Sequence, residues 1–214
     1  MDTVSGKMRT KSKSNSSDRF RMCSFADKVL AIDLFSGAGG LGEGLEAAGI
    51  RVAISQEYHP QPALTNAFNH PDTTVMVGDI RKLDLSLMAE ILQWRFQAKT
   101  VDIVVGGPPC QGFSSAGKKV LRDPRNDLFL NFYQVVKRFH PTMFLLENVP
   151  GFKKMYGGAV CEEAKRLFVS IGYDLTDEIL NACEYGVPQR RQRFVVVGVK
   201  KRESSARFLD KWYL

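Results

Sequence analysis

The chain has 214 residues, of which 44% are hydrophobic and 25% charged, and its formal net charge is +7. This composition excludes disorder throughout, and the length suits one sizeable α/β domain. No apolar run approaches the roughly 18 residues that a membrane-spanning helix needs, and the first residues lack the apolar segment of a secretory signal. The positive charge favours a polyanionic partner, with nucleic acid first, although charge alone equally allows a basic surface without a specific partner.

The four cysteines are Cys23, Cys110, Cys161 and Cys183, and they form neither a C-x-x-C pair nor a Cys/His cluster. The sequence therefore predicts no structural metal. Without a secretion signal, we expect a cytoplasmic protein with reduced thiols, associated with the nucleoid if the source is bacterial. A single reactive cysteine is chemically possible in that setting.

Residues 1–24 are rich in Ser, Lys and Arg and poor in apolar residues, which predicts a disordered basic tail. Beyond this tail, short apolar runs alternate with amphipathic segments. The predicted strands span 29–35, 52–55, 74–77, 101–105, 143–146, 173–179 and 194–199, and the predicted helices span 41–48, 63–69, 86–96, 127–139 and 160–170. Such alternation indicates an α/β fold with a mostly parallel, twisted sheet and helices on both faces. The last two strands lack a long crossover, which favours antiparallel pairing at that end.

A glycine-rich turn follows the first predicted strand. The run Gly37-Ala38-Gly39-Gly40-Leu41-Gly42 fits G-x-G-x-x-G, and Glu57 closes the next strand about twenty residues on, where a carboxylate can bind ribose hydroxyls. Together they predict an adenosine-containing cofactor at the carboxyl edge of the sheet, without choosing among NAD, FAD and S-adenosylmethionine. The alternative is that the glycines only pack the helix against the strand.

Asp79 and Ile80 end the third strand at the same predicted edge. Asp79 could bind an adenine amine, with Ile80 against the ring. Taken alone, an aspartate at such a position is more often a helix N-cap or a turn residue.

Cys110 follows the fourth strand in the run Gly106-Gly107-Pro108-Pro109-Cys110-Gln111-Gly112-Phe113-Ser114. The two prolines fix φ and stiffen the backbone before the thiol. A mobile loop to about residue 126 carries Lys118, Lys119, Arg122 and Arg125, which suits a lid that closes on phosphate. Buried packing is the alternative for a lone cysteine, but it does not account for this sequence context.

Glu147 and two arginines are candidates for the remaining chemistry. Glu147 ends the fifth strand, where partial desolvation suits a group that carries a proton, although a capping or loop role is the alternative. Arg191 and Arg193 precede the last strand and share one face by the two-residue period. They could address a base oxygen or phosphates, or they could form a solvated basic stretch.

Four of these motifs together resemble the DNA cytosine-C5 methyltransferase family. They are Asp33-Leu34-Phe35-Ser36-Gly37-Ala38-Gly39-Gly40, Pro108-Pro109-Cys110-Gln111, Glu147-Asn148-Val149 and Gln189-Arg190-Arg191-Gln192-Arg193. They occur in the family's order and rough spacing, and the resemblance covers about residues 28–200. It implies the Rossmann-like fold of S-adenosylmethionine-dependent methyltransferases, with double-stranded DNA as substrate and a place in a restriction-modification system.

The resemblance also implies roles for individual residues. Cys110 would add to C6 of a flipped-out cytosine, Glu147 would contact N3 and the exocyclic amine, and Arg191 and Arg193 would support the base and the thiol region. The positions that would contact S-adenosylmethionine are Phe35, Gly37, Gly39, Glu57, Asp79, Ile80, Pro109 and Leu128. The positions that would contact DNA are Gln111, Ser114 and Lys118.

The resemblance predicts a catalytic domain at 25–200 and a C-terminal tail or subunit interface at 201–214. The family's target-recognition domain and its later motifs do not occur in the sequence, so reading of the major groove is not expected from this chain alone. We expect a split enzyme whose second polypeptide recognises the target; a truncated gene product and a degenerate remnant are the alternatives. The aromatic and apolar residues Phe208, Leu209, Trp212 and Tyr213 would join the interface or pack on their own domain.

Three other functions compete with methylation of DNA. A related enzyme acting on tRNA cytosine would use the same thiol, glutamate and arginines, but the run from Gly112 to Lys118 looks more like the DNA branch. A non-catalytic binding subunit would not need Cys110, Glu147 and Arg191. A nicotinamide dehydrogenase would leave the Pro-Pro-Cys-Gln run and the arginines unexplained.

Overall fold

The computed structural model describes residues 29–109 and 127–201, and these contain a mixed sheet of seven strands. In chain order the strands are β1 (Leu30–Leu34), β2 (Arg51–Glu57), β3 (Thr74–Val77), β4 (Ile103–Gly106), β5 (Met143–Asn148), β6 (Tyr173–Asn181) and β7 (Gln192–Lys200). Their order across the sheet is β3-β2-β1-β4-β5-β7-β6. The first five strands pair in parallel, and β7 runs antiparallel to both β5 and β6. The predicted α/β class and the antiparallel end are both confirmed.

Helices cover both faces of this sheet. They are α1 (Gly40–Ala47), α2 (Pro60–Asn69), α3 (Leu85–Phe96), α4 (Asp127–Phe139), α5 (Gly151–Lys154) and α6 (Ala159–Ser170). On one face α3, α4 and α6 build the larger core, in which the rings of Phe144 and Phe168 lie 4.2 Å apart between centroids. On the other face Leu41 and Leu45 of α1 pack on a smaller cluster around Ala31. Central strands buried on both sides explain their continuous apolar runs.

The element boundaries differ from the predicted ones in a few places. β1 ends at Leu34 because Phe35 turns the chain with a φ of +57°. α2 begins at Pro60 rather than at residue 63, since proline is well suited to the first turn of a helix. The short helix α5 was not predicted, because four residues are too few for a periodic pattern. In the described part of the chain, no helix has the length and apolarity needed to cross a membrane.

Parallel pairing brings the carboxyl ends of β1 to β5 to one edge of the sheet. β7 starts at that edge, because Asn148 at the end of β5 pairs with Phe194 near the start of β7. The predicted tail at 1–24, the loop from Cys110 to Asn126 and nearly all of the tail at 201–214 lie outside the described residues.

A buried carboxyl group lies beneath the edge, at the last residue but one of β1. Asp33 is fully buried, and among the described residues neither of its carboxylate oxygens has a hydrogen-bond partner of ordinary geometry. Burial raises the pKa of Asp33 to about 7; the N–H of Gly42 opposes this shift, and the negative charge of Glu57 adds to it. Burying an ionised carboxylate costs free energy, so Asp33 is more readily protonated in the folded chain than in the unfolded chain.

The substitution Asp33→Asn should change how stability depends on pH. Because the folded pKa lies above the ordinary value of 3.8, the stabilisation from protonated Asp33 is present at low pH and is lost as pH rises through about 7. Relative to Asp33→Asn, the free energy of unfolding of the wild type should fall by about 1.4 kcal/mol per pH unit between pH 5 and pH 7. Urea unfolding across this range measures the difference.

Asp72→Asn provides the matched control, because Asp72 is exposed. This variant should follow the wild-type profile. Parallel profiles for the wild type and Asp33→Asn would contradict a raised pKa of Asp33 in the folded chain.

Candidate functional site

The glycine-rich turn after β1 has an unusual backbone. Phe35, Gly37 and Gly39 have φ values of +57°, +56° and +95°, and such values are uncommon for a bulky residue like phenylalanine. The N–H of Ser36 donates to the carbonyl of Gln56 at 3.0 Å, and the N–H of Gly39 donates to the carbonyl of Ser36 at 2.9 Å. These bonds attach the turn to the end of β2 and close it before α1 begins.

Glu57 fastens the turn from the neighbouring strand. Its side chain is buried, Oε2 accepts from the N–H of Gly37 at 2.9 Å, and Oε1 accepts from the N–H of His59 at 2.8 Å. A carboxylate offers about four acceptor positions. Two of them therefore stay available for the hydroxyl donors of a ligand lying over the turn.

Asp79 has a structural role in this edge. It caps a single 3₁₀ turn at Ile80–Lys82, and both of its carboxylate oxygens accept hydrogen bonds from Arg81. The hydrogen bonds from the Arg81 side chain and N–H lower the pKa of Asp79 to about 2. The N-cap alternative is thus confirmed, and a ligand amine would have to share the carboxylate with Arg81. Ile80 is 4% exposed and belongs to the larger core, so little of its side chain is left for a ligand ring.

Glu147 and Arg193 form an ion pair at the other side of the edge. Nε of Arg193 lies 2.7 Å from Oε1 of Glu147, and both side chains are 27% exposed. Oε2 of Glu147 lies so close to the backbone of Gly107 that a Cβ there would stand 2.9 Å from it. Glu147 is therefore a half-buried carboxylate held against the segment that leads to the predicted nucleophile. Its place inside β5 excludes the capping alternative.

Asn148, for which the sequence predicted no role, anchors the segment that leads from β4 to Cys110. Its side chain is buried, and Nδ2 donates to the carbonyl of Pro108 at 3.0 Å. This bond fixes the backbone two residues before Cys110. The only signal in the sequence was its position beside Glu147, since an asparagine by itself does not predict a long-range contact.

The remaining predicted residues are divided between the described and undescribed parts of the chain. Pro109 is exposed at the end of the described segment, Leu128 is half-buried at the start of α4, and Arg191 is exposed just before β7. Cys110, Gln111, Ser114 and Lys118 lie outside the described residues. The structure thus brings together the turn, Glu57, Asp79, Glu147 and Arg193 at one edge of the sheet, as the sequence predicted from the positions of these residues at strand ends.

A group of potential metal donors lies next to the glycine-rich turn, since His70 is in contact with Gly39. One atom each of Glu43, Glu46 and His70 falls within 4.8 Å of the others. Nδ1 of His70 already lies 2.8 Å from Oε2 of Glu46, which is an ordinary hydrogen bond. The predicted lack of a metal stays a prediction.

The sheet order and its helices are those of a Rossmann-like methyltransferase fold. The Dnmt2 methyltransferase of S. pombe has a similar structure, with a TM-score of 0.66 over 84% of this chain and 53% of that one, at 24% identity. A protein encoded within an Escherichia coli prophage, described as a DNA modification methyltransferase, gives a TM-score of 0.67 at 36% identity, covering 81% of this chain and 47% of that one.

Residues 29–211 match the C-5 cytosine-specific DNA methylase family, and the chain belongs to this family. The chain is 43% identical to the type II methyltransferase M.AgeI of Thalassovita gelatinovora, over 78% of this chain and 38% of that protein. It is 39% identical to M.AquIA of a Picosynechococcus species, over 78% of this chain and 70% of that protein. The chain thus spans well under half of M.AgeI but most of M.AquIA.

Gly39 should tolerate alanine far less than Gly37. Both would place alanine at positive φ, which costs about 1–2 kcal/mol. A Cβ at Gly39 would also stand 2.6 Å from Nε2 of the buried His70, whereas among the described residues nothing lies within 4 Å of a Cβ at Gly37. Urea unfolding of the cofactor-free chain should show a loss of roughly 3 kcal/mol or more for Gly39→Ala and about 1 kcal/mol for Gly37→Ala. Equal losses would mean that His70 moves aside freely.

Proposed function

We propose that this chain is the catalytic part of a type II DNA (cytosine-5)-methyltransferase that uses S-adenosylmethionine. One observation carries the proposal: Glu147, paired with Arg193, lies against Gly107, which is three residues before Cys110 in the sequence. The glycine-rich turn follows β1, and β1 pairs directly with the strand that leads to Cys110. A thiol, a carboxylate and a cofactor turn on neighbouring strand ends are the parts that methyl transfer to a base needs.

The edge fits an adenosine-containing methyl donor. Glu57 keeps acceptor positions for ribose hydroxyls, and the space over Gly37 is open among the described residues. The proposed contacts are the predicted set Phe35, Gly37, Gly39, Glu57, Asp79, Ile80, Pro109 and Leu128, with Asp79 and Ile80 contributing only the atoms that Arg81 and the core leave accessible. When bound, S-adenosylmethionine supplies a methyl group on a positively charged sulfur.

Cys110 is the proposed nucleophile. C5 of cytosine is a weak nucleophile until a thiolate adds at C6, so a covalent step is required. The S–C6 bond forms, and the displaced electron pair spreads over C5, C4 and N3. Glu147 is proposed to contact N3 and the exocyclic amine. Because Glu147 is ionised in its pair with Arg193, it first takes up a proton from solvent, and this proton passes to N3 and neutralises the charge that develops.

C5 would then take the methyl group as the methyl–sulfur bond of the donor breaks, which leaves a neutral thioether. The C5 proton would pass to a base, N3 would return its proton to Glu147, and the S–C6 bond would break to restore the Cys110 thiolate and an aromatic 5-methylcytosine. Arg193 holds Glu147 in place through its ion pair, and Arg191 is proposed to support the base from the exposed start of β7. The target carbon is inaccessible within a duplex, so the cytosine must leave the base stack.

Double-stranded DNA is the proposed substrate. The net charge of +7 supports binding of a polyanion. Gln111, Ser114 and Lys118 are proposed to contact DNA from the segment that follows Cys110.

A second polypeptide is proposed to recognise the target. M.AquIA supports this, because it is a named type II methyltransferase of which the chain spans 70%, against 38% of M.AgeI. A methyltransferase polypeptide of a length comparable to this chain is therefore found among its relatives. The experiment below tests the need for a second chain separately from the chemistry.

Trapping with 5-fluorocytosine tests the nucleophile. Fluorine at C5 cannot leave as a proton does, so the S–C6 bond should persist after methyl transfer. The full chain would be incubated with S-adenosylmethionine and duplex DNA containing 5-fluorocytosine, with and without a candidate target-recognition polypeptide. We expect a denaturation-resistant adduct only when both polypeptides are present, and its mass should locate the adduct on Cys110.

Cys110→Ser is the matched control and should form no adduct. An adduct that survives this substitution, or none in any mixture, would contradict the proposed chemistry. An adduct without the second polypeptide would contradict only the split enzyme. A parallel sample with 5-fluorocytosine in tRNA tests the RNA alternative, and an adduct on tRNA alone would replace DNA as the substrate.

A further inference from the structure

Two buried polar residues, Asn66 within α2 and His70 at the C-cap of that helix, are in contact with the glycine-rich turn. Asn66 is 1% exposed, and its Nδ2 donates to Oγ of Ser36 at 3.0 Å. His70, 5% exposed, lies against Gly39, since a Cβ there would stand 2.6 Å from Nε2 of the imidazole and 3.3 Å from Cγ of Asn66. The turn is thus in contact with α2 and its C-cap through Ser36 and Gly39.

The imidazole of His70 is held from its other side by α1. Nδ1 lies 2.8 Å from Oε2 of Glu46, and the two side chains are 4% and 36% exposed. The next acidic residue on α1, Glu43, is exposed. Glu46 therefore fixes the imidazole ring that supports Gly39. Glu46 lies near the end of α1, and Gly39 is the N-cap of the same helix.

The turn needs such support because its own backbone is strained. Phe35 holds a positive φ although it has a large side chain, and this conformation persists only when the surroundings enforce it. Ser36 connects the supporting groups to the strand, because both its N–H and its hydroxyl donate to the carbonyl of Gln56. Asn66 then orients the hydroxyl of Ser36 by donating to it.

We infer that Asn66, His70 and Glu46 are positioning residues that keep the glycine-rich turn in its cofactor-binding conformation before any cofactor arrives. This inference rests on the proposed function, since it assigns the turn to S-adenosylmethionine. The three residues touch no cofactor themselves. They lower the cost of binding by ordering the turn in advance.

Cofactor binding by the full chain tests this directly. Isothermal titration with S-adenosylmethionine would give the Kd of the wild type, Asn66→Ala, Glu46→Ala, Glu46→Gln and the matched control Glu43→Ala. We expect Asn66→Ala and Glu46→Ala to raise Kd roughly tenfold. A tenfold change in Kd corresponds to about 1.4 kcal/mol, which is the order of free energy that one hydrogen bond contributes. Glu46→Gln keeps an acceptor for Nδ1, so its Kd and that of Glu43→Ala should stay within about twofold of the wild type.

A double-mutant cycle separates positioning from general loss of stability. Ser36→Ala removes the acceptor of the Asn66 bond, so Asn66→Ala should have much less effect on Kd in that background. Equal effects in the two backgrounds would overturn the inference for Asn66. A Kd for Glu46→Gln as high as that of Glu46→Ala would overturn it for Glu46 and His70. If Asn66→Ala does not fold, the Glu46 variants still test the inference. Glu46 is the more exposed partner of the Glu46–His70 pair, so its substitution disturbs the fold less.

The failure of this inference is distinguishable from failure of the proposed function. Wild-type binding with an unchanged Kd in Asn66→Ala and Glu46→Ala overturns the positioning role alone. A wild-type chain that binds no S-adenosylmethionine overturns the proposed cofactor and the positioning role together.

Discussion

Parallel pairing of the first five strands is the constraint on which the candidate site depends. Parallel neighbours must all leave the sheet in the same direction, so each strand delivers its last residues to one edge. Phe35, Glu57, Asp79, Gly107 and Glu147 are separated by 20 to 40 residues in the sequence, yet all follow or end strands at that edge. The strand topology alone therefore brings these residues to one edge of the sheet, independently of any side-chain contact.

β7 breaks the parallel rule, and this exception adds to the site. Because it runs antiparallel beside β5, its first residues and not its last lie at the edge formed by the carboxyl ends of β1 to β5. Arg193 reaches Glu147 for this reason. A half-exposed ion pair of this kind contributes at most about 1 kcal/mol to stability, so its importance lies in orienting the carboxylate. Asn148 does the equivalent for the backbone of Pro108 with a neutral hydrogen bond.

The sequence was informative where function depends on local pattern. Apolar runs predicted all seven strands, and the four motifs predicted the family to which the chain belongs. The sequence did not predict the positive φ of Phe35 or the hydrogen bonds that Arg81 donates to Asp79. Both depend on detailed turn geometry. The contacts of Asn66 and His70 with the turn join residues about thirty positions apart. A single sequence holds no signal for such contacts, since an asparagine and a histidine on a helix are compatible with many environments.

Hydrogen exchange of the full chain with and without S-adenosylhomocysteine tests the central claim, that the carboxyl edge of the sheet is the cofactor site. Binding there should slow exchange of the amides at 35–39, 57–59 and 78–80 and leave those at 98–102, at the opposite edge, unchanged. Protection confined to the opposite edge, or saturated binding without protection of the turn after β1, would contradict the account.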